Sequence, residues 1–582
     1  MHYLYRNVFC KLKKMLERTC RISGEKFVIE KDDLEFYGKR NVITAENLSD
    51  LLSGKISDCA GLPTLCPAER QRRRLSWRNE RKLYKRKCDA TEKDIISMYD
   101  GSSIFSIYEQ KYWWSDNWDA LDYGQEFDFS KSFFEQFKAL QKKVPRIALH
   151  VMGNENSSYV NSSGYSKNCY LSYQTDYSEG CLYCSVASHS TDCVDCLMAN
   201  KSELCYESIN SNESYGSYYL FDSKNCSDSW FLKNCIGCKN CFGCVNLRNK
   251  EYYFLNKKLS KEEYDKKIKL LNLSCYSAVD GMRKKFFEFV KIVPQKFVNV
   301  INSEDFSGDG IYNSKLVKNC FDCFACENCK YCASFEYSSN CHDYDMGGYS
   351  SEWCYEIGSG GDKNFQTSFS INIWGKVSNS FYCSVGKNLS NCFGCIGLRQ
   401  KKYCILNKQY TKEEYEELVP KIIEHMKKTG EWGEFFPTSM SPFAYNETVA
   451  NEYFGLTKEE AERNGYIWKE EKQTVQYTGP KYEIPDDIKD VPDEILEKVL
   501  QCERSGKFFR IQKAELKFYR KMNLPIPRLH PDERHKDRMK LRNPRKLWKR
   551  KCDDCNCEIQ TTFAPERPEK ILCEDCYLKI VD

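Results

Sequence analysis

Short segments of small and polar residues, separated by turn formers, fill the middle of the chain. In "NCYLSYQ", "GCLYCSVAS" and "DCVDCLMAN", small side chains alternate with polar ones, and Asn, Ser, Asp and Gly lie between the segments. This alternation is typical of short β-strands. Cysteine recurs there every twelve residues, at Cys169, Cys181, Cys193 and Cys205. A fixed short period of strands and turns predicts a β-solenoid that is parallel β-helix-like, and we expect two such units per coil.

A longer repeat divides this region into two halves. The segment "NCFGCVNLRNKEYYFLNKKLSKEEY" at 240–264 returns at 391–415 as "NCFGCIGLRQKKYCILNKQYTKEEY". In both copies a Ser or Thr precedes a Glu by three residues, which is the capping box that opens a helix. The second half has a looser cysteine spacing, at Cys320, Cys329, Cys341 and Cys354. We therefore expect one solenoid half at 149–295 and another at 296–430, each ending in a helix.

The two ends of the chain form a second repeat. "CRISGEKFVIEKDDLEFY" begins at Cys20, and "CERSGKFFRIQKAELKFY" begins at Cys502. Small α+β modules are predicted at 15–125 and 499–582. The amphipathic "SKSFFEQFKALQKKV" predicts a helical linker within 126–148, and a helical or linker region is expected at 431–498. The predicted fold class is multidomain and mainly β.

Cysteine content and charge narrow the function classes. The chain has 34 cysteines among 582 residues, yet residues 1–30 lack a secretory pattern and no apolar stretch is long enough for a membrane span. A reducing, cytoplasmic location without membrane association is expected, in which thiols bind metal or fill a core. The 88 basic and 83 acidic residues give a net charge of +5, so any basic function must be local.

The strongest motif for chemistry lies near the C-terminus. Two CxxC pairs, separated by 17 residues, have the spacing of a zinc ribbon, in which each pair is one knuckle. The predicted zinc ligands are Cys552, Cys555, Cys573 and Cys576, which leaves Cys557 spare. The first copy keeps Cys88 but has Thr91, Glu109 and Tyr112 at the other three positions. We expect a metal-free hairpin there.

Both end modules resemble the zinc-ribbon, treble-clef-like family written CxxCGxxF...FY...P..CxxCR. The resemblance implies weaker ligand positions at Cys20 and Cys66, and at Cys502 and His530. Ser23 and Glu69 replace the second cysteines of the first copy, and Ser505 and Glu533 replace those of the second. Two sulfurs cannot close a tetrahedral zinc site, so these knuckles are expected to fold without metal. The whole chain resembles an uncharacterised Cys-rich protein family of candidate phyla radiation bacteria.

The solenoid cysteines allow two interpretations. Free cysteine is a small hydrophobe that suits a tight interior, whereas repeated CxxC pairs indicate metal binding or disulfides. Residues three apart on a strand point to opposite faces, so metal binding by CxxC would need a turn between them. The best candidate for metal is "CFDCFACENCKYC", with Cys320, Cys323, Cys326, Cys329 and Cys332.

Each end module also carries a basic segment that runs into a cysteine. Read as a helix, "RQRRRLSWRNERKLYKRK" places cations on one face, with aromatic residues between them. This predicts nucleic-acid binding, with structured RNA favoured. The candidate contacts are Arg70, Arg72, Arg73, Arg74, Arg78, Arg81, Lys85, Arg534, Arg538, Arg542, Arg545 and Lys549. The alternative is a helix that sits on an acidic neighbour, such as 113–129 or 484–497, or that binds a protein complex.

The sequence thus favours a non-enzymatic zinc-binding protein whose two basic modules bind nucleic acid on a rigid Cys-rich scaffold. Alternatives are a protein–protein interaction scaffold and a cysteine-rich metal or redox protein. A carbohydrate-active β-helix enzyme using Asp343 and Asp345 beside His342 is least favoured. The chain has no HExxH, GxSxG or P-loop pattern, which argues against common enzyme classes.

Overall fold

The protein is described by a computed structural model. The described residues are 16–333, 338–339, 342–345, 347, 351–352, 354–361, 363–373, 375–470, 477 and 479–581. Cys341 and part of the 431–498 region lie outside them. Strands take up 25% and helices 26% of the residues, so the chain is a mixed multidomain protein rather than a mainly β one.

The N-terminal module and its linker precede the first cysteine-rich region. Their elements are β1 (Leu16–Thr19), β2 (Lys26–Ile29), α1 (Lys31–Lys39), α2 (Ala45–Ser53), α3 (Pro67–Leu75), β3 (Tyr84–Lys87), β4 (Asp94–Ser97), β5 (Ile107–Tyr108), α4 (Gln110–Trp113), α5 (Phe133–Lys143) and β6 (Arg146–Ile147). The predicted basic helix ends at Leu75, and Lys85 lies on a strand, so the basic segment is not one continuous helix.

The first cysteine-rich region ends in two helices. Its elements are β7 (Val151–Met152), β8 (Ser163–Gly164), β9 (Tyr218–Phe221), β10 (Trp230–Lys233), β11 (Lys239–Phe242), β12 (Glu251–Phe254), β13 (Lys257–Lys258), α6 (Lys261–Leu270), α7 (Tyr276–Ile292) and β14 (Gln295–Lys296). The predicted capping box is present, because Ser260 Oγ accepts from Glu263 N at 3.1 Å and a Glu263 carboxylate oxygen accepts from Ser260 N at 2.9 Å.

The second cysteine-rich region ends in one long helix. Its elements are β15 (Val300–Ile301), β16 (Glu304–Tyr312), β17 (Lys315–Phe324), β18 (Ser338–Ser339), β19 (His342–Asp345), β20 (Ser351–Glu352), β21 (Tyr355–Gly358), β22 (Val377–Ser378), β23 (Leu389–Phe393), β24 (Lys402–Ile405), β25 (Lys408–Gln409) and α8 (Lys412–Lys428). Thr411 and Glu414 form the predicted capping box of α8.

Two short helices and the C-terminal module complete the chain. Their elements are α9 (Val449–Tyr453), α10 (Lys458–Arg463), β26 (Leu500–Gln501), β27 (Phe508–Phe509), α11 (Lys513–Lys521), α12 (Pro531–Lys540), β28 (Trp548–Lys551), β29 (Glu558–Thr561), β30 (Ile571–Leu572) and α13 (Glu574–Val581). None of the helices in the described ranges has the length and apolar content needed to cross a membrane.

Each cysteine-rich region is a stack of parallel layers. In the first stack, bridges join Glu155 to Lys167, Lys167 to Glu179 and Glu179 to Thr191, and the twelve-residue step continues along the stack. One twelve-residue unit therefore makes one layer, where two were expected. Steps in the second stack vary from eleven to thirteen residues, as between Val300 and Ile311 and between His342 and Tyr355.

A left-handed residue at every third position shapes each layer. Asn168, Leu171, Gln174 and Tyr177 all have positive φ, between 46° and 55°. The backbone turns at these residues, so each layer has four sides of three residues, and residues three apart point to the same interior. The expected alternation with period two was therefore wrong. Because each side is so short, neighbouring layers are joined mostly by isolated β-bridges. Within the first stack, both cysteines of the CxxC pair Cys181 and Cys184 are fully buried.

Each end module shares a hydrophobic core with the stack that lies farther from it in the sequence. One cluster joins residues of the N-terminal module, such as Tyr37, to residues of the second stack, such as Tyr355. Another joins the first stack to the C-terminal module, as Tyr206 and Tyr519 illustrate. The corresponding ring centroids lie 4.9 Å apart in the Tyr37–Tyr355 pair and 5.8 Å apart in the Tyr206–Tyr519 pair. The two duplicated modules thus pack on the two stacks through equivalent rings.

The hairpin part of each module contacts the beginning of the other stack. β5 pairs in parallel with β6, which leads into the first stack, and β30 pairs in parallel with β14, which leads into the second. Each end module therefore touches both stacks, one through its helices and one through its hairpin.

Candidate metal centre and arginine clusters

Five cysteines of the C-terminal module lie close together. The Sγ atoms of Cys552, Cys555, Cys557 and Cys573 all lie within 4.8 Å of one another, the single such group of potential metal ligands in the described part of the chain. Cys576, on the first turn of α13, has its thiol beside those of Cys552, Cys555 and Cys573. Three of the four predicted ligands are thus in the tightest group, and Cys557, expected to be spare, belongs to it.

The backbone around Cys552 favours its thiolate form. The chain turns at Asn556, with φ of 60°, and Asn556 N donates to Cys552 O at 3.0 Å. Cys573 N donates to Cys552 Sγ at 3.3 Å. Burial raises the pKa of Cys552, but N–H groups of Cys573, Cys555 and Asp554 outweigh it and lower the pKa to about 6. Because the thiolate is the metal ligand, this environment suits a metal ion.

The equivalent hairpin of the N-terminal module has the same strand pairing but lacks three of the four predicted cysteine ligands. β3 and β4 pair Tyr84 with Ser97, and β28 and β29 pair Trp548 with Thr561 in the same antiparallel way. Glu109 N donates to Cys88 Sγ at 3.2 Å, as Cys573 N does to Cys552. Thr91 Oγ1 donates to a Glu109 carboxylate oxygen at 3.1 Å. A hydrogen bond between the two knuckles therefore lies where the second copy has thiols.

The weaker ligand candidates use their side chains in other ways. Cys66 Sγ lies 3.8 Å from Ser23 Oγ and 3.9 Å from a Glu25 carboxylate oxygen. Cys502 Sγ accepts from Ser505 N at 3.5 Å, and His530 Nδ1 accepts from Asp532 N at 3.1 Å as the cap of α12. Cys20 is buried in the module core. Neither set forms a close group of ligand atoms among the described residues.

The cysteines inside the stacks pack as a ladder of hydrogen-bonded thiols. Cys320 Sγ donates to Cys329 O at 3.6 Å, and Cys323 Sγ donates to Cys332 O at 3.3 Å. The five candidate positions are all buried, with exposed fractions of at most 2%: Cys320, Cys323, Cys326, Cys329 and Cys332. Because each of the two thiols satisfies a backbone carbonyl of the next layer, these contacts favour the core-packing interpretation.

The arginines predicted to bind nucleic acid are turned inward. All ten form ion pairs within the chain, with these first partners: Arg70 with Asp343, Arg72 with Glu69, Arg73 with Glu356, Arg74 with Asp345, Arg78 with Glu80, Arg81 with Glu452, Arg534 and Arg538 with Asp195, and Arg542 and Arg545 with Asp322. Arg74 is fully buried and Arg538 is 1% exposed. Lys85 and Lys549 are exposed. The prediction that these ten arginines form an exposed surface for nucleic acid is therefore corrected.

The arginine clusters of the two modules are equivalent. Arg70 Nε lies 2.7 Å from Asp343 Oδ2, and Arg534 Nη1 lies 3.2 Å from Asp195 Oδ2. The Arg70 guanidinium also lies 5.3 Å from the Tyr331 ring, and that of Arg534 lies 4.7 Å from the Tyr183 ring. The acidic partners of Arg70 and Arg534 come from the stacks, and none of the ten first partners lies in the acidic segments 113–129 or 484–497.

The acidic partners have a signal in the sequence that was missed. Asp195 and Glu207 lie twelve residues apart, and Asp343 and Glu356 lie thirteen apart, so each pair occupies successive layers. Burial raises the pKa of Glu207 to about 7, although the Arg538 guanidinium opposes this effect. Carboxylates repeated at the layer spacing mark the side of each stack that the arginines cover.

The candidate carbohydrate site is part of one of these interfaces. Asp343 bonds Arg70, and Asp345 accepts from Arg74 Nε at 2.8 Å and from Gln71 Nε2 at 2.9 Å. The His342 ring stacks on Phe36 at a centroid distance of 3.8 Å. Since all three candidate residues are at most 5% exposed, they are closed to a polysaccharide.

No model of a known protein family matches this sequence. No curated protein matches it either.

Proposed function

We propose that the protein is a non-enzymatic scaffold that binds one zinc ion in its C-terminal hairpin and presents two β-solenoid halves. The observation that carries the proposal is the group of thiols within 4.8 Å of one another at Cys552, Cys555, Cys557 and Cys573. Tetrahedral coordination by cysteines from two knuckles is the usual form of a structural zinc site. The lowered pKa of Cys552, caused by surrounding backbone N–H donors that outweigh burial, supports the same assignment.

The solenoid assignment is supported by the stacked layers. Parallel bridges at a constant twelve-residue step run from Glu155 to Glu251. Cysteine, serine, alanine and leucine fill the interior, where Cys181 Sγ donates to Ser190 O at 3.5 Å and Ser190 Oγ to Ala199 O at 2.8 Å. Each layer covers the one before it, which is how a repeat protein buries a continuous core.

The scaffold role is supported by the ion pairs through which the end modules bind to the stacks. Each module inserts arginines from one helix between carboxylates of successive layers, as Arg534 and Arg538 do at Asp195 and Glu207. A face of a stack is therefore suited to hold a protein partner through paired charges and aromatic rings. Nucleic-acid binding draws no support from the ten arginines, because they pair with carboxylates inside the chain and form no exposed basic surface.

Metal analysis of the purified protein tests the proposal. Mass spectrometry should find about one zinc ion per chain, since one group of thiols has metal-site geometry. The double variant Cys555→Ser/Cys573→Ser, which removes one ligand from each knuckle, should lose the ion. The matched control Cys181→Ser/Cys193→Ser removes two thiols from a stack and should keep it. Several ions per chain, lost in the control, would instead favour a cysteine-rich metal reservoir.

A further inference from the structure

A cavity lies where the chain after α12 meets both stacks. Its volume is about 290 Å³, near the lower end of sites that bind small molecules. Aromatic rings of Phe221, Phe287 and Phe563 line it, together with Arg542 and Arg545. None of these residues belongs to the proposed metal centre, so the cavity is a separate candidate binding site.

Two guanidinium groups share one carboxylate in the wall of this cavity. Arg542 pairs with Asp322 Oδ1, and Arg545 Nη2 lies 2.8 Å from Asp322 Oδ2. The side chains of Arg542 and Arg545 are only 6% and 9% exposed. Arg545 also approaches Asp345 at 3.8 Å, but that carboxylate already accepts from Arg74 Nε at 2.8 Å. Two guanidinium groups that share one close carboxylate leave this group of three side chains with an excess positive charge. A buried charge of this kind favours a nearby anion.

In the N-terminal copy of the module, each of the two equivalent arginines has its own carboxylate partner. Arg78 corresponds to Arg542, and it pairs with Glu80, two residues later. Pro544 stands at the position equivalent to Glu80. Arg81, which corresponds to Arg545, has its own carboxylates, at 3.5 Å on Glu452 and 3.6 Å on Asp532. The charge excess is thus specific to the copy that lines the cavity.

Arg542 retains hydrogen-bonding capacity. Its Nη1 donates to Tyr453 Oη at 3.0 Å and its Nη2 bonds Asp322, whereas its buried Nε has no hydrogen-bond partner within the described residues. The cavity lining contains six cationic and four acidic residues. Its cations include the exposed Lys540 and the exposed Lys291, which pairs with Glu288 at 2.7 Å. A negatively charged group in the cavity would meet a positive wall, and a flat ring would meet aromatic side chains.

We propose that this cavity binds a small aromatic anion, with its charged group at Arg542 and its ring among Phe221, Phe287 and Phe563. Phenyl phosphate is the probe of choice, since it combines a ring with a phosphate. Isothermal titration of the full-length zinc-loaded protein should show binding of phenyl phosphate. Inorganic phosphate, which lacks the ring, and phenol, which lacks the charge, should each bind at least about tenfold more weakly.

Pro544→Glu provides the decisive variant. It restores the carboxylate that neutralises Arg78 in the first copy, at an exposed position, so the fold should be kept while phenyl phosphate affinity falls at least about tenfold. Arg542→Gln should have the same effect, and Lys291→Gln at the exposed rim a smaller one. The control is Arg520→Gln, since Arg520 is 40% exposed and pairs with Asp493 away from the cavity. Unchanged affinity in both Pro544→Glu and Arg542→Gln, or absence of phenyl phosphate binding to the native protein, would overturn the proposal.

Discussion

Arg538 Nη1 lies 2.9 Å from Asp195 Oδ1 in the interface between α12 and the first stack. The Arg538 side chain is 1% exposed and that of Asp195 is fully buried. The second oxygen of this carboxylate lies 3.2 Å from Arg534 Nη1, so one aspartate serves two guanidinium groups. The C-terminal module is held on the first stack by this arrangement.

Asp195→Asn should strongly destabilise this interface. The neutral amide leaves two buried guanidinium groups with less compensation, so the apparent free energy of unfolding should fall by about 3–5 kcal/mol. Urea denaturation measures the loss, and hydrogen exchange over 513–540 should locate it. The control is Glu179→Gln, because Glu179 and Lys167 are 55% and 54% exposed and 4.0 Å apart. An exposed pair of this kind contributes at most about 1 kcal/mol. Equal losses in the two variants would contradict the assigned role of Asp195.

The sequence predicted the repeats better than the directions of the side chains. The twelve-residue recurrence of Cys169, Cys181 and Cys193 matches the observed step between layers, because stacking requires equivalent residues at a constant interval. The turn at every third residue was missed, since residues such as Leu171 adopt positive φ where glycine or asparagine is the usual signal.

The arginines show a different limit of sequence reasoning. The pattern around Arg70 and Arg74 correctly marked a duplicated basic element, but a run of cations has the same composition whether it faces water or buried carboxylates. Their partners lie far away in the chain, as Asp343 does, and only tertiary structure brings them together. The knuckle cysteines were easier to predict, because two CxxC pairs define their own geometry through local spacing.

Ser190→Ala should be more harmful than Cys193→Ser, although both change one buried atom in the same layer. Ser190 Oγ accepts from Ser202 N at 3.2 Å, and its loss leaves that buried N–H without this acceptor, at a cost of about 1–3 kcal/mol. Cys193 Sγ donates to Ser202 O at 3.4 Å, and a serine hydroxyl can donate to the same carbonyl. The second change should therefore cost about 1 kcal/mol or less. Thermal unfolding of the two variants checks the order, and the reverse order would contradict the hydrogen-bonded ladder.

Because five thiols lie close together, the metal centre should still bind zinc after one of two cysteines, Cys557 or Cys576, is replaced. A tetrahedral ion uses four ligands, so Cys557→Ser and Cys576→Ser should each retain about one zinc ion per chain. The double variant Cys557→Ser/Cys576→Ser leaves only Cys552, Cys555 and Cys573, and it should lose the ion. Zinc content by mass spectrometry gives the answer. Complete loss in one single variant would identify that cysteine as the required fourth ligand and would rule out a spare thiol.

Chelation of the metal should loosen the junction between the hairpin and the second stack. β30, which pairs with β14, directly precedes Cys573, and Thr561 Oγ1 donates to Phe297 O at 2.6 Å. Hydrogen exchange should therefore increase at 294–298 and 571–577 after chelation, while amides at 178–205 inside the first stack stay protected. If chelation leaves the exchange rates at 294–298 and 571–577 unchanged, the metal does not stabilise this junction.

The pH dependence of stability should depend on Asp309. Burial raises its pKa to about 6, although Thr562 and the backbone N–H groups of Asn299 and Gly310 donate hydrogen bonds to the carboxylate. A carboxyl group that holds its proton more tightly when folded favours folding at low pH, and this contribution is lost as the pH rises through about 6. Asp309→Asn removes the titration and keeps a neutral group of the same shape.

The stability of Asp309→Asn relative to the native protein should therefore be about 1.4 kcal/mol more favourable at pH 8 than at pH 5. Urea denaturation of both proteins at the two pH values measures this difference, and other titrating groups cancel because both proteins share them. Asp537→Asn is a suitable control, since Asp537 pairs with Arg504, a side chain that is 45% exposed. A stability difference between Asp309→Asn and the native protein that does not vary with pH would show that the Asp309 carboxylate stays ionised in the folded protein.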